Sequence, residues 1–305
     1  MIDIKVWRRG PPEDGLSMPP SAGTAMNLGT ILVHLDHSEH CAARIELAAT
    51  LARQHGSHLI GLVPTGLFDG TIPADAIAGK DADFIAASSD YLRVRAEGVA
   101  RTFKKLIQGP RAVSCEVRLV DQPSVDAVVR HGRTSDLVIV GQTQRDDADA
   151  MTAGDLPAQA ILHGGRPVLV VPPAETSREL GKNALVAWDG SREAAVATRD
   201  SLPLLSKAAS VTLVSLYRRE APRSDGELLI PQTLAWLLRH GIEARSEQHV
   251  ADGGIADALL SHAAGSDAGL IIVGGYGHAR AREMVLGGVT RELLERMDVP
   301  VLMAH

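Results

Sequence analysis

Gly274, Gly275 and Gly277 stand together near the end of the chain, and nine residues separate Gly277 from a second cluster, Gly287 and Gly288. The first cluster follows the apolar run Leu270–Val273, and the second precedes a stretch in which Val289, Leu293 and Leu294 share a helical face. Glycines let a backbone approach a phosphate closely and supply positive φ where a loop must curl. Backbone N–H groups of such a loop, with those of the next helix's first turn, form an anion site. The two clusters can therefore pinch one phosphate chain between them. Arg280 and Arg282 in the span either add charge-assisted contacts or remain solvated surface. No Lys-Ser/Thr follows, so this is not a P-loop, and the Gly-x-Gly-x-x-Gly order of the dinucleotide fingerprint is missing.

Other residue types with chemical potential have plainer readings. His34, His37 and His40 cluster at the end of an apolar run, but the turn scatters their directions and nothing completes a metal-ligand set. No metal ligand is assigned. Asp36-x-Ser38 and Asp189-x-Ser191 read as strand–helix turns in which Ser38 and Ser191 are N-caps. No Ser-His-Asp arrangement suggests nucleophilic catalysis, and no catalytic residue is assigned.

The elements that must position these residues alternate. Short β-branched and leucine-rich runs occur at Thr30–Leu35, Ser57–Val63, Glu116–Val120, Leu137–Val140 and Pro167–Val171. Between them lie stretches with three-and-four apolar spacing, such as Ile45, Ala48, Ala49 and Ala52, or Val125, Val128 and Val129. Without tight hairpin signals, this alternation implies right-handed βαβ crossovers and a parallel sheet buried on both faces. Leu228, Leu229, Leu234, Leu237 and Leu238 read as the core face of another helix.

The pattern occurs twice. Ala184–Trp188 repeats Ile31–Leu35, each run leading into Asp-x-Ser. Ser135–Gly141 is echoed by Ser266–Gly274, and Arg166–Val171 by Val299–Met303. The first copy is longer, and the surplus falls around 68–90. The expected organisation is a tail without regular structure over 1–27, a first domain over 28–173, a linker over 174–182 and a second domain over 183–305. Pro11, Pro12, Pro19 and Pro20 with Gly10, Gly15 and Gly23 deny the tail a regular element. Arg8-Arg9 lacks the apolar region of an export signal.

Composition narrows the class. A length of 305 residues with 45 % apolar content fills two cores. A net charge of -6 and 3 % aromatic residues argue against a nucleic-acid surface, whether basic or stacking. Two cysteines, Cys41 and Cys115, match no metal or redox spacing and fit a reducing compartment. No apolar run is long enough for a bilayer. A cytoplasmic location without nucleic-acid or membrane partners is expected.

A strand ending in Asp-x-Ser, alternating strands and helices, and Gly-x2-Gly-x9-Gly before the last helix together resemble the universal stress protein (UspA) family, in two tandem copies over about 28–305. The resemblance implies an α/β fold: two Rossmann-like (adenine nucleotide alpha hydrolase-like) open parallel five-stranded sheets, ordered 3-2-1-4-5, with helices on both faces. It further implies ATP or AMP as ligand, with or without Mg²⁺. By motif matching, Gly274, Gly277, Gly287 and Gly288 fall in the phosphate loop, and Asp189 contacts the adenosine moiety. Ala187 and Val273 correspond to backbone positions flanking the base, and Leu216 to a ligand contact at the end of the second strand.

The copies differ in what they keep. The family's Ser/Thr after the last glycine is Gly288 here, and losing a charge-assisted hydroxyl contact costs about 1.5–3 kcal/mol. Thr290 either substitutes for it or points away. In the first copy, Gln142 to Asp147 replaces the glycines and puts Asp146 and Asp147 where phosphate would sit. Asp155 there reads as a helix N-cap. The expectation is a stress-response binding module with one adenine-nucleotide site, in the second copy. The alternatives are a nucleotide-free interaction protein of the same fold and a slow ATP hydrolase. Family dimers imply an intramolecular pseudo-dimer, with the apolar edge strands Val168–Val171 and Val301–Met303 adjacent, and allow a homodimer of the whole chain.

Overall fold

The computed structural model describes residues 4–9, 27–66, 81–108, 113–143, 155–173, 180–218, 229–277 and 288–305. Gly287, Arg280, Arg282, Asp146, Asp147, Leu228 and residues 68–80 lie outside them. Contacts divide the chain into two units, Met1–Ala160 and Ile161–His305.

In the first unit, strands β1 (Ile4–Arg9), β2 (Thr30–His34), β3 (His58–Pro64), β4 (Cys115–Val120) and β5 (Leu137–Gly141) take the spatial order β1-β4-β3-β2-β5. β2 to β5 pair in parallel, as buried apolar strands joined by crossovers must. The crossovers carry helices α1 (Cys41–His55), α2 (Asp81–Ile107) and α3 (Ser124–Gly132). Ile45, Ala48, Ala49 and Ala52 form the buried stripe of α1, as their spacing requires.

The expected featureless tail is corrected over Ile4–Arg9, which pairs antiparallel with Cys115–Val120. The prolines begin only at Pro11, so the six residues before them are free to extend. Trp7 lies 4.5 Å from Lys104 Nζ in a cation–π contact that ties the strand to α2.

Helix α4 (Leu156–Gly164) crosses the division between the units. The second unit contains β6 (Val168–Val171), β7 (Asn183–Ala187), β8 (Ser210–Tyr217), β9 (Ala244–Val250), β10 (Leu270–Gly274) and β11 (Val301–Ala304), in the order β6-β11-β10-β7-β8-β9. The last five follow the 3-2-1-4-5 order in parallel. Helices α5 (Arg192–Asp200), α6 (Leu202–Leu205), α7 (Ile230–Arg239), α8 (Ile255–Gly265) and α9 (Gly288–Arg296) complete the unit. The two apolar strands expected to meet do so: Val168–Val170 pair antiparallel with Val301–Met303.

The α7 face needs correction. Leu229 and Leu238 are 42 % and 60 % exposed, whereas Ile230, Thr233 and Leu237 are buried. Leu229 instead lines a cleft of about 220 Å³ with Trp188, Thr198 and Trp236. In α9, Val289 is likewise exposed, and the buried face is Thr290, Leu293 and Leu294.

Deleting residues 1–9 bares the β4 edge. We expect the truncated chain to lose about 1–3 kcal/mol in urea unfolding and to self-associate in size-exclusion chromatography through the unpaired strand. Unchanged stability and a single monodisperse peak would show that β1 contributes no net free energy.

Candidate functional site

The crevice is set by topology. From β7 the chain crosses to β8 on one side, while β10 pairs with β7 on the other. The strand order therefore reverses between β7 and β10, and ligands of open α/β sheets bind beyond the carboxyl ends of strands at such a point. Ala187 ends β7 half-buried, and exposed Asp189 follows two residues later. Val273 and Gly274 end the adjacent β10. Five predicted residues, Ala187, Asp189, Val273, Gly274 and Gly277, thus gather at one crevice. Leu216 lies one strand further out, near the end of β8, half-buried and opposite His249 of β9.

Asp189 shapes the turn into α5. Its Oδ1 accepts the Ser191 N–H at 2.9 Å, and Ser191 Oγ accepts the Ala194 N–H at 3.1 Å. Ser191 is thus the N-cap that its sequence position predicts. The first turn of α5 then abuts the end of β10. A Cβ on Gly274 would lie 2.5 Å from Ala194 N and 2.6 Å from the Glu193 carbonyl carbon, so only glycine fits. Gly277 faces the Glu193 carboxylate, with Oε2 3.0 Å from where its Cβ would be.

The expected positive φ is not at Gly274 or Gly277. The left-handed residue is Tyr276, at φ 57° and buried. The strained turn is held from α9: Thr290 Oγ1 accepts the Tyr276 N–H at 3.3 Å. The buried Thr290 hydroxyl is thereby committed to joining the two ends of the glycine segment. Gly275 N–H donates to Ala304 O at 2.8 Å, which anchors the segment to β11. Gly288 begins α9, and none of the described residues lies within 4 Å of a would-be Cβ.

The first unit fills the corresponding crevice with its own side chain. Arg44 is 3 % exposed. It donates from Nε to His34 O at 3.0 Å and from Nη2 to Asp36 Oδ2 at 2.5 Å. Its guanidinium occupies the space that a Cβ on Gly141, at the end of β5, would need. At the matching distance from Asp189 the second copy has fully buried Ala197. Ser38 is not the N-cap of α1: the helix starts after His40, and the Ser38 hydroxyl donates to Asp36 Oδ1 at 2.6 Å. Asp155 does cap α4, accepting the Ala158 N–H at 3.4 Å.

Burial would raise the Asp36 carboxyl, but Arg44, then His34 and the Ser38 hydrogen bonds, override it and hold it well below the usual carboxylate range. His34, at 3.6 Å from Asp36, is pushed down to about 4, chiefly by burial. Neither Arg44 nor Glu193 is a residue that the motif reading selects. Arg44 carried a usable signal, because it lies at i−3 and i+4 spacing from Cys41 and Ala48 on the buried stripe. Glu193, next to Arg192 in a first helical turn, reads as ordinary surface charge.

Comparison with known proteins agrees with this architecture. The sequence matches the Universal stress protein family over residues 27–172 and 181–305. The chain belongs to that family, as two tandem copies of its domain. A universal stress protein from Archaeoglobus fulgidus aligns over 91 % of this chain and 96 % of its own, with 15 % identity and a TM-score of 0.66. A functionally unknown protein from Pseudomonas aeruginosa PAO1 aligns over 91 % and 92 %, with 14 % identity and a TM-score of 0.50. Both show the fold alone. None of the curated proteins matches the chain. Among the described residues, no helix is long and apolar enough to cross a membrane.

His34 makes the first unit pH-sensitive in a defined direction. Its folded pKa of about 4 lies below the ordinary 6.5, so the unfolded chain binds the extra proton between those values. Stability is therefore present above pH 6.5 and falls as pH drops toward 4, by on the order of 3 kcal/mol. Urea unfolding from pH 4 to 7 is expected to show this slope in the wild-type chain and a shallower one in His34→Asn. Equal slopes would place the proton uptake elsewhere.

Proposed function

We propose that the second unit binds ATP or AMP, alone or with Mg²⁺, in the crevice between β7 and β10, and that the chain acts in the cytoplasm as a stress-response binding module. The observation that carries this reading is the placement of Asp189 and Gly274–Gly277 at the carboxyl ends of two adjacent parallel strands where the strand order reverses. Gly288, with no described residue within 4 Å of a would-be Cβ, stands at the start of α9 and supplies helix N-terminal N–H groups on the other side of the glycine segment. Bound phosphate would fix the segment between Gly277 and Gly288 and so change the surface offered to a partner protein. The family resemblance assigns Gly287 to the same loop. Arg44 and its pairing with Asp36 oppose an equivalent site in the first unit, where a guanidinium takes the room beside the end of β5 and the second copy has Ala197 at the matching position.

One observation favours a second reading, a nucleotide-free interaction protein. The Glu193 carboxylate lies against Gly277 and is 13 % exposed, so it places a negative charge beside the proposed phosphate path. It rests in the first turn of α5, where the helix dipole favours it whether or not nucleotide binds.

Calorimetric titration of the whole chain with ATP and AMP, with and without Mg²⁺, separates the two readings. Binding at one site supports the proposal, and no heat at millimolar nucleotide supports the second reading. Within the proposal, Gly277→Val should nearly abolish binding, because a branched side chain blocks the approach of phosphate to the backbone. Asp189→Ala should cost about 1–3 kcal/mol. Gly288→Ser should tighten binding, since it restores the hydroxyl that the family has there and its side chain meets no described residue. Asp36→Ala should leave affinity unchanged while lowering stability, because it strands the buried Arg44 charge. Affinity lost more in Asp36→Ala than in Asp189→Ala would move the site to the first unit.

A further inference from the structure

Away from the crevice, the edge strand β9 and helix α8 bring two imidazoles and a carboxylate together. Glu247 and His249 are two residues apart on one strand, so their side chains share a face. His262 reaches the same point from α8. Glu247 Oε2 lies 3.2 Å from His249 Nε2 and 3.3 Å from His262 Nε2. The three ligand atoms all fall within 4.8 Å of one another, and the two rings lie 4.7 Å apart between centroids. His262 Nε2 is buried, and apart from its ion-pair contact with Glu247 no hydrogen bond among the described residues satisfies it.

We propose that Glu247, His249 and His262 bind a first-row divalent cation, with zinc as the representative ion and a fourth position open to solvent. Two bonds of about 2.0–2.1 Å at a tetrahedral angle place neighbouring donors about 3.3 Å apart. Two edges of the triangle already have that length. Side-chain rotation of the more exposed His249 closes the third. Two nitrogens and one oxygen select a borderline metal over Mg²⁺ or Ca²⁺, which require oxygen donors throughout. Side-chain exposures of 45 % for His249, 30 % for Glu247 and 18 % for His262 leave a path for the ion and for a water ligand.

The neighbouring charge is arranged around the carboxylate. Arg245 Nε lies 3.3 Å from Glu247 Oε1 and 3.1 Å from Thr212 Oγ1. The arginine thus holds one carboxylate oxygen and leaves the other, Oε2, aimed at the histidines, as outer partners of metal ligands do. Its positive charge works against the cation and sets an upper limit on affinity.

The first copy provides an internal comparison. Strand registers make Glu116, Arg118 and Val120 the counterparts of Arg245, Glu247 and His249, and the repeated Ser-Asp that follows each helix makes His131 the counterpart of His262. Both copies carry an i,i+2 ion pair on this strand, but with opposite polarity. Arg118 pairs with Glu116 there and contributes, after burial, to lowering the His131 pKa. A helix histidine packed on the sheet is thus common to both copies. Only the second turns a carboxylate and a second imidazole toward it. Helix–sheet packing does not require that change, and metal binding does.

The test uses the untagged full-length chain, stripped with chelator and titrated with zinc chloride by calorimetry. Cobalt(II) absorption then reports the ligand geometry. One equivalent of zinc is expected to bind, with Mg²⁺ failing to compete. His249→Ala and Glu247→Gln, both at solvent-accessible positions on an edge strand, should each weaken zinc binding about 100-fold or more. Loss of the cobalt d–d bands should accompany it. His262→Ala is not needed for the decision, since that half-buried position also packs the helix. Absence of stoichiometric zinc binding overturns the proposal. So does binding that survives both variants, which would assign the metal to others among the 12 histidines.

Discussion

The second unit depends on one close approach, that of the end of β10 to the first turn of α5. Without a side chain at Gly274, the strand backbone reaches within contact distance of Glu193 and Ala194. The helix start, capped by Ser191 and preceded by the Asp189 turn, is thereby fixed beside the strand end. Everything assigned to the crevice follows from that contact. It puts Gly277 opposite Glu193, and just before Gly277 Tyr276 takes a left-handed turn that the Thr290 hydroxyl holds by accepting its N–H. A larger residue at 274 would push the helix away from the sheet, and the crevice would lose one wall.

The same contact is resolved differently in the two copies. In the first, the space beside Gly141 is taken by a guanidinium that closes a buried cluster with Asp36 and the His34 carbonyl. A buried arginine is tolerable only because its charge is met and its donors are used. The cluster places a buried charge in the first unit at a position where the second has only the methyl group of Ala197. The cost is that His34 and Asp36 must stay unprotonated for the fold to keep its full stability, which ties the first unit to neutral pH.

Sequence patterning revealed the parallel strands because burial on both faces demands continuous apolar runs, such as Leu137–Val140 and Leu270–Val273. It failed where burial is one-sided. Ala244–Val250 is largely exposed and polar, so nothing in Arg-Ser-Glu-Gln-His distinguishes this edge strand from a loop. Ile4–Arg9 escaped notice for another reason: the prolines and glycines that follow dominate any composition-based reading of the segment. The glycine motif pointed to the end of β10 but misjudged its conformation, since close packing, not positive φ, explains Gly274. Glu193 could not be recognised as a crevice residue before the helix was seen against the strand.

The polar edge strand that the apolar pattern missed is also a place where the copies differ in charge. Interior positions cannot vary freely, because a methylene gained or lost in a packed core costs stability. In the second unit β9 is an exposed edge, where changes carry no such cost, whereas in the first unit β1 covers β4 and Glu116 is buried. Reversing Glu116–Arg118 to Arg245–Glu247 keeps one ion pair per strand and leaves the sheet register intact. It alters only what faces the helix histidine: a guanidinium beside His131, a carboxylate beside His262. A duplicated domain can thus carry different side-chain chemistry on a strand that is outermost in the second copy and covered by β1 in the first, while the inner strands keep the same fold in both.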